Sequence, residues 1–187
     1  AVAMMHNAHI VGTRRMASVD EITEALSAMV ERLHEFNPQL RILFTVSPIR
    51  HIADGLEVNS LSKATLRVAV ANVNRVYRDF TAYFPAYEIV MDDLRDYRFY
   101  AADMVHPSDV AIGYIWQSFQ AAYFDDASTQ AIARCERVMK RLTHRPMTAN
   151  REIVERFYAD TKAVVTNLVK EYPYIANIKE INDLISE

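Results

Sequence analysis

An aspartate three residues ahead of a histidine, in the segment Asp103-Met-Val-His106-Pro107, is the part of this chain best equipped for chemistry. The carboxylate can turn onto the imidazole, fix its tautomer and leave the other ring nitrogen open to take a proton from a nucleophile. Such a pair is the orienting half of a Ser-His-Asp triad. The spacing by itself is a weak signal, because Asp and His fall three apart by accident in many chains of this size. The setting strengthens it. The loop DDLRDYRFY (residues 92–100) leads in, and Pro107-Ser108-Asp109 opens a helix whose N-terminal end favours negative charge on a substrate or intermediate.

A second polar cluster, Ser47-Pro48-Ile-Arg50-His51, follows the apolar run LRILFTV at residues 40–46. That run lacks strict alternation, as expected of a strand buried on both faces of a parallel sheet. Ligands gather beyond the carboxyl ends of such strands, so Ser47, Arg50 and His51 are candidate substrate-binding residues. Their plainer reading is a turn hydroxyl and a solvated loop. Ser47 could itself be a nucleophile, but Pro48 offers no backbone N–H to an oxyanion. The plainer reading of residues 92–100 is a self-satisfied cluster of ion pairs and aromatic rings that shapes the loop.

The elements that must hold these residues follow in order. Ser18-Val-Asp-Glu21 is a capping box for a helix with Ile22, Leu26, Met29, Val30, Leu33 and Phe36 on its apolar face, stopped by Asn37-Pro38. Ser60 or Ser62 can cap a second helix running to about Phe80. A short strand within residues 82–90 is expected next, with Pro85 placing it at an edge or bend, and the run to Ile89-Val90-Met91 is strand-like. Strand, helix, strand in this order predicts α/β layering with a right-handed crossover. Ser108 is the expected cap of a helix through Phe124, with Val110, Ile112, Tyr114, Ile115, Trp116 and Phe119 buried on more than one side. Helices near residues 129–142, 151–172 and 179–185 complete the chain, so residues 125–187 form a helical C-terminal extension of a single domain.

Composition narrows the function. The chain has 187 residues, 51% of them hydrophobic and 24% charged, with a net charge of -3, which suits a soluble globular protein and not a nucleic-acid surface. The lone cysteine, Cys135, excludes a disulfide framework and fits a buried thiol in a reducing, cytoplasmic setting. No run is long and apolar enough for a membrane span, and the opening residues are not a signal peptide. His6, His9, Arg14 and Arg15 read as loop rather than a metal site, and His144 as a surface or capping residue. No metal or cofactor is expected. Neither a Gly-x-Ser-x-Gly elbow nor a P-loop, a Rossmann glycine pattern or a His-Glu-x-x-His helix is present. With only 3 glycines, where about a dozen would be usual, and no initiator Met, the chain is expected to be incomplete, with a glycine-rich part of the fold missing.

From about Ser18 to Pro173 the chain closely resembles the GSCFA family of bacterial proteins, within the SGNH (GDSL-like) hydrolases. The matching text is Leu43-Phe-Thr-Val-Ser47-Pro48-Ile-Arg50-His51, Asp54-Gly55, Leu61-Ser62-Lys63-Ala64, Tyr83-Phe84-Pro85-Ala-Tyr87-Glu88-Ile89, residues 92–100, Asp103-Met-Val-His106-Pro107, Tyr114-Ile115-Trp116 and His144-Arg145-Pro146. The resemblance implies a flavodoxin-like α/β/α sandwich with a parallel sheet, and ester hydrolysis with Asp103 and His106 as catalytic residues. A small-molecule, carbohydrate or lipid ester would be the substrate. The Gly-Ser-Cys-Phe-Ala motif that would carry the nucleophile is absent from these residues. A missing N-terminal segment or another chain would complete the site. The alternative is a non-catalytic α/β fragment or interaction module.

Overall fold

The computed structural model describes residues 15–148 and 150–186. His6, His9 and Arg14 lie outside the described residues. Arg15 forms a two-pronged ion pair with Glu21, at 2.8 and 2.7 Å. The chain falls into two compact units, the first ending at Gln117 and the second beginning at Ser118.

In the first unit, helix α1 (Val19–Phe36) starts at the expected capping box: Ser18 Oγ accepts from Glu21 N, and Glu21 Oε2 accepts from Ser18 N. Strand β1 (Ile42–Phe44) pairs in parallel with β2 (Thr81–Tyr83), in the register Ile42 to Thr81, Leu43 to Ala82 and Phe44 to Tyr83. Helix α2 (Gly55–Val76) joins them. It begins ahead of Ser60 and Ser62 because Gly55, at φ +83°, takes a backbone conformation that a side chain would strain, turning a short 3₁₀ segment (Ile52–Asp54) directly into the helix.

Among the described residues these are the two strands, and most of the chain is helical. The protein is therefore a mixed α/β structure with a small parallel sheet. The expected burial of β1 on both faces is corrected: Leu43 is 38% exposed, because strand alternation points it to the face opposite the part-buried Ile42 and Phe44. The strand-like run at Ile89-Val90-Met91 is also corrected. A single helical turn, α3 (Ala86–Glu88), passes straight into a π-helical segment (Ile89–Leu94), which buries Ile89, Val90 and Leu94. Apolar residues in so short a run satisfy either geometry, and here the helical turn before them decides.

The core of this unit joins Val30 of α1 to Ala69, Val70 and Val73 of α2. Helix α4 (Asp109–Tyr123) begins after Ser108, whose hydroxyl accepts from Ala111 N at 3.4 Å. Its expected burial on several sides is not found. Ala111 is buried, while Val110, Ile112, Tyr114 and Trp116 are exposed.

The second unit is helical. Helix α5 (Asp126–Thr143) is capped by Asp125 and α6 (Arg151–Glu171) by Asn150, each accepting from first-turn backbone N–H groups. A 3₁₀ segment (Pro173–Asn177) leads to α7 (Lys179–Ser186). Val138, Val165, Leu168, Ile175 and Ile181 form its core, with Cys135 partly buried against them. His144 caps the end of α5 through its backbone N–H and meets the Phe157 ring edge-on.

Candidate functional site

The turn that carries Asp103 and His106 is built by the backbone before any side chain enters. Tyr100 and Pro107 face each other as an antiparallel bridge. On either side Ala101 N donates to His106 O at 2.7 Å and Ser108 N to Phe99 O at 2.8 Å. Met104 N closes the tip onto Ala101 O at 2.9 Å, and Met104 sits at φ +60°, a left-handed conformation that costs a non-glycine residue about 1–2 kcal/mol. Surrounding bonds must hold such a conformation.

Asp103 supplies part of that hold. Its Oδ1 accepts from the backbone N–H of Val105 at 2.9 Å and of His106 at 3.0 Å, while Oδ2 lies 2.6 Å from His106 Nδ1. These bonds, the His106 backbone N–H first, hold the Asp103 carboxyl down to about 2. At neutral pH it is an ionised, acceptor-only group, so the proton between the two side chains sits on Nδ1. Nε2 faces the other way with no hydrogen bond from any described residue. Both side chains are about half exposed, 58% for His106 and 49% for Asp103, so Nε2 is open to an incoming group.

Arg50 ties this turn to the loop after β1. Its backbone N–H donates to Val105 O at 3.3 Å and its Nη1 to Met104 O at 3.2 Å. The guanidinium lies over the rings of Tyr100, at 3.9 Å, and Tyr97, at 5.4 Å. The two polar clusters separated by some fifty residues of sequence are thus one structure. Ser47 and His51 are placed differently. Ser47 Oγ accepts from Ile49 N at 3.2 Å, its carbonyl accepts from Lys63 Nζ at 2.7 Å, and no bond joins it to His106. His51 N donates to Asn59 Oδ1 at 2.7 Å. The structure therefore brings Arg50 to the Asp103–His106 turn, while Ser47 and His51 bond elsewhere.

Lys63 escaped the sequence reading as a site residue. It is a buried cation on α2, its amine pushed down by burial, and it fastens the Ser47 loop to the helix. A lysine amid apolar helix positions was the available signal. Nor did sequence reveal the cavity of about 190 Å³ beside the turn, lined by Arg50, Met91, Arg95, Asp96, Tyr97 and Tyr100. The aromatic and ionic cluster expected at residues 92–100 exists in part: Asp96 caps the short 3₁₀ turn Tyr97–Phe99 and pairs loosely with Arg98 at 3.8 Å. The buried Tyr100 hydroxyl has no hydrogen-bond partner.

Among the described residues no group of three or more His, Cys, Asp or Glu side chains could hold a metal ion, and no helix is long and apolar enough to cross a membrane.

A mixed α/β unit with a carboxylate-oriented histidine in a bridged turn is a class of protein shared by several chemistries. The comparisons narrow it: the model of the GSCFA family matches residues 8–119, more than half of the chain, and this protein belongs to that family. The match contains Ser47, Arg50, His51, Asp103 and His106 and leaves α5, α6 and α7 outside. No curated protein and no solved structure matches the chain.

Proposed function

We propose that the first unit carries the general-base half of an ester hydrolase of the SGNH type, within a flavodoxin-like sheet that is larger than the two strands described. The single observation that supports this is the 2.6 Å contact from Asp103 Oδ2 to His106 Nδ1, with Nε2 open. A serine hydroxyl outside this turn would attack the ester carbonyl and pass its proton to Nε2. Asp103 would hold the imidazolium as it forms, and His106 would return the proton to the leaving alkoxide. Water would then release the acyl group by the same route. Arg50 acts here as a positioning residue for the turn, since its contacts are with Met104, Tyr97 and Tyr100. A carbohydrate or lipid ester is the substrate class, and the partly buried free thiol of Cys135 suits the cytoplasm.

One observation favours a second reading. Asp103 Oδ1 is bound to two backbone N–H groups, which by itself would make the aspartate a purely structural stay of the turn. A fluorophosphonate probe separates the two when applied to this chain alone and to the chain joined to a segment bearing the family's Gly-Ser-Cys-Phe-Ala motif. Hydrolysis predicts labelling of the motif serine in the joined protein, lost by at least about 10³-fold in rate in His106→Gln. Absence of labelling in both would leave only the structural role, and labelling that survives His106→Gln would remove His106 from the chemistry.

A further inference from the structure

The second unit holds a groove of about 370 Å³ between α5 and α6, lined by Arg134, Arg137, Lys140 and Arg141 above Val138, Val164 and Leu168. The four cations stand within two turns of one helix. Arg134–Arg137, Arg137–Lys140 and Arg137–Arg141 are three- and four-residue spacings, each bringing like charges together and each costing a few tenths of a kcal/mol. Glu171 pairs with Arg134 at 2.6 Å, and Glu136, four residues before Lys140 on the same helix, offsets part of the rest without an ion-pair contact among the described residues. Arg141 gives Nε to the Thr161 hydroxyl at 3.4 Å and lies over the Phe157 ring at 5.5 Å. Arg137 and Lys140 are exposed, and no described residue pairs with either. Packing does not require this arrangement, since the core beneath is made by Val138, Val165 and Leu168. The unspent charge faces a concave surface whose exposed apolar member is Val164, at 39%.

We infer that this groove binds an amphiphilic anion: a phosphate monoester headgroup held by Arg137, Lys140 and Arg141, with the first carbons of its chain against Val164 and the edge of Leu168. Guanidinium pairs suit phosphate because their forked donors match its oxygens, and the cavity has the size of a small-molecule site. A soluble alkyl phosphate and the headgroup of a phosphatidic-acid membrane share this chemistry. The inference does not rest on ester hydrolysis, because none of these residues belongs to the first unit.

Calorimetric titration of the whole chain with octyl phosphate below its micelle point, with octyl glucoside and inorganic phosphate beside it, tests the headgroup and the chain separately. Octyl phosphate is expected to bind, octyl glucoside not to, and inorganic phosphate to bind more weakly. Arg137→Ala/Lys140→Ala is expected to weaken octyl phosphate at least about tenfold, with the helical circular dichroism unchanged. Val164→Gln is expected to narrow the gap between octyl and inorganic phosphate. Flotation with phosphatidylcholine vesicles, with and without phosphatidic acid, distinguishes the sources: capture only by acidic vesicles, lost in the double variant, assigns the headgroup to a membrane. Binding unaffected by the double variant, or no binding to octyl phosphate or to acidic vesicles, overturns the inference. Equal binding of octyl and inorganic phosphate overturns its apolar part.

Discussion

The Asp103–His106 turn and the cationic face of α5 are both dense in polar groups, and they balance them in opposite ways. In the turn nearly every charge is spent at home. Asp103 answers two backbone N–H groups and an imidazole, and Arg50 answers a carbonyl and two aromatic rings, so the single ring nitrogen left open is aimed. On α5 the cations outnumber the acids: Glu171 pairs with Arg134, Glu136 stands four residues before Lys140, and Arg137 and Lys140 are exposed with no ion pair to a described residue. A polar cluster that satisfies itself can position an atom; one with cations to spare can attract an anion.

Removing a cation from each region should therefore have unlike consequences. In the turn, Arg50→Ala deletes the bond to Met104 O and the stacking on Tyr97 and Tyr100. The first unit should lose about 1–3 kcal/mol in urea unfolding followed by the fluorescence of Trp116, the protein's one tryptophan. Arg50→Lys should recover part of this, since it keeps the charge without the planar fork. An unchanged midpoint in Arg50→Ala would mean that the turn stands without its tie to β1.

A smaller, local effect should come from acid. The Asp103 carboxyl is held below its ordinary value, so its contribution is complete above the unfolded-state value of about 3.9 and is lost as pH falls through about 2. The side-chain carboxyl carbon resonance of Asp103 should keep its ionised position down to about pH 4 and move only as the pH approaches 2. Movement centred at about pH 4, the ordinary aspartate value, would show that Asp103 is not bound as described.

Smallest of all should be Arg137→Gln. Relieving three like-charge pairs should leave the amide protection of α5 unchanged or slightly raised, within about 0.5 kcal/mol. A loss comparable to that of Arg50→Ala would show that this cation too is spent on structure, and the contrast between the regions would fall.

How far sequence reached depended on whether the deciding partner was near. The capping box at Ser18 and Glu21 and the helices of the second unit depend on residues three or four apart, and each formed close to where it was expected. The Asp103–His106 pair is of the same kind, since one turn of chain brings the carboxylate to the ring. Where the partner was distant, pattern misled. Leu43 and Val110, Ile112, Tyr114 and Trp116 of α4 carry the composition of a buried surface yet are exposed, because burial needs a covering element and composition does not supply one. Ile89-Val90-Met91 read as strand until the turn at Ala86–Glu88 fixed it as helix.

Local chemistry thus determined, from the order of residues alone, that the Asp103 carboxylate, one turn of chain away, would reach the imidazole of His106. The folded chain alone decided that Arg50 would be drawn onto Met104 and the tyrosines, that Ser47 would bond to Ile49 and Lys63 instead of His106, and that four cations of α5 would share one groove. Those are contacts between segments far apart in the chain or between two helix faces. Their energies depend on distance and enclosure, which a linear string of residue types does not contain.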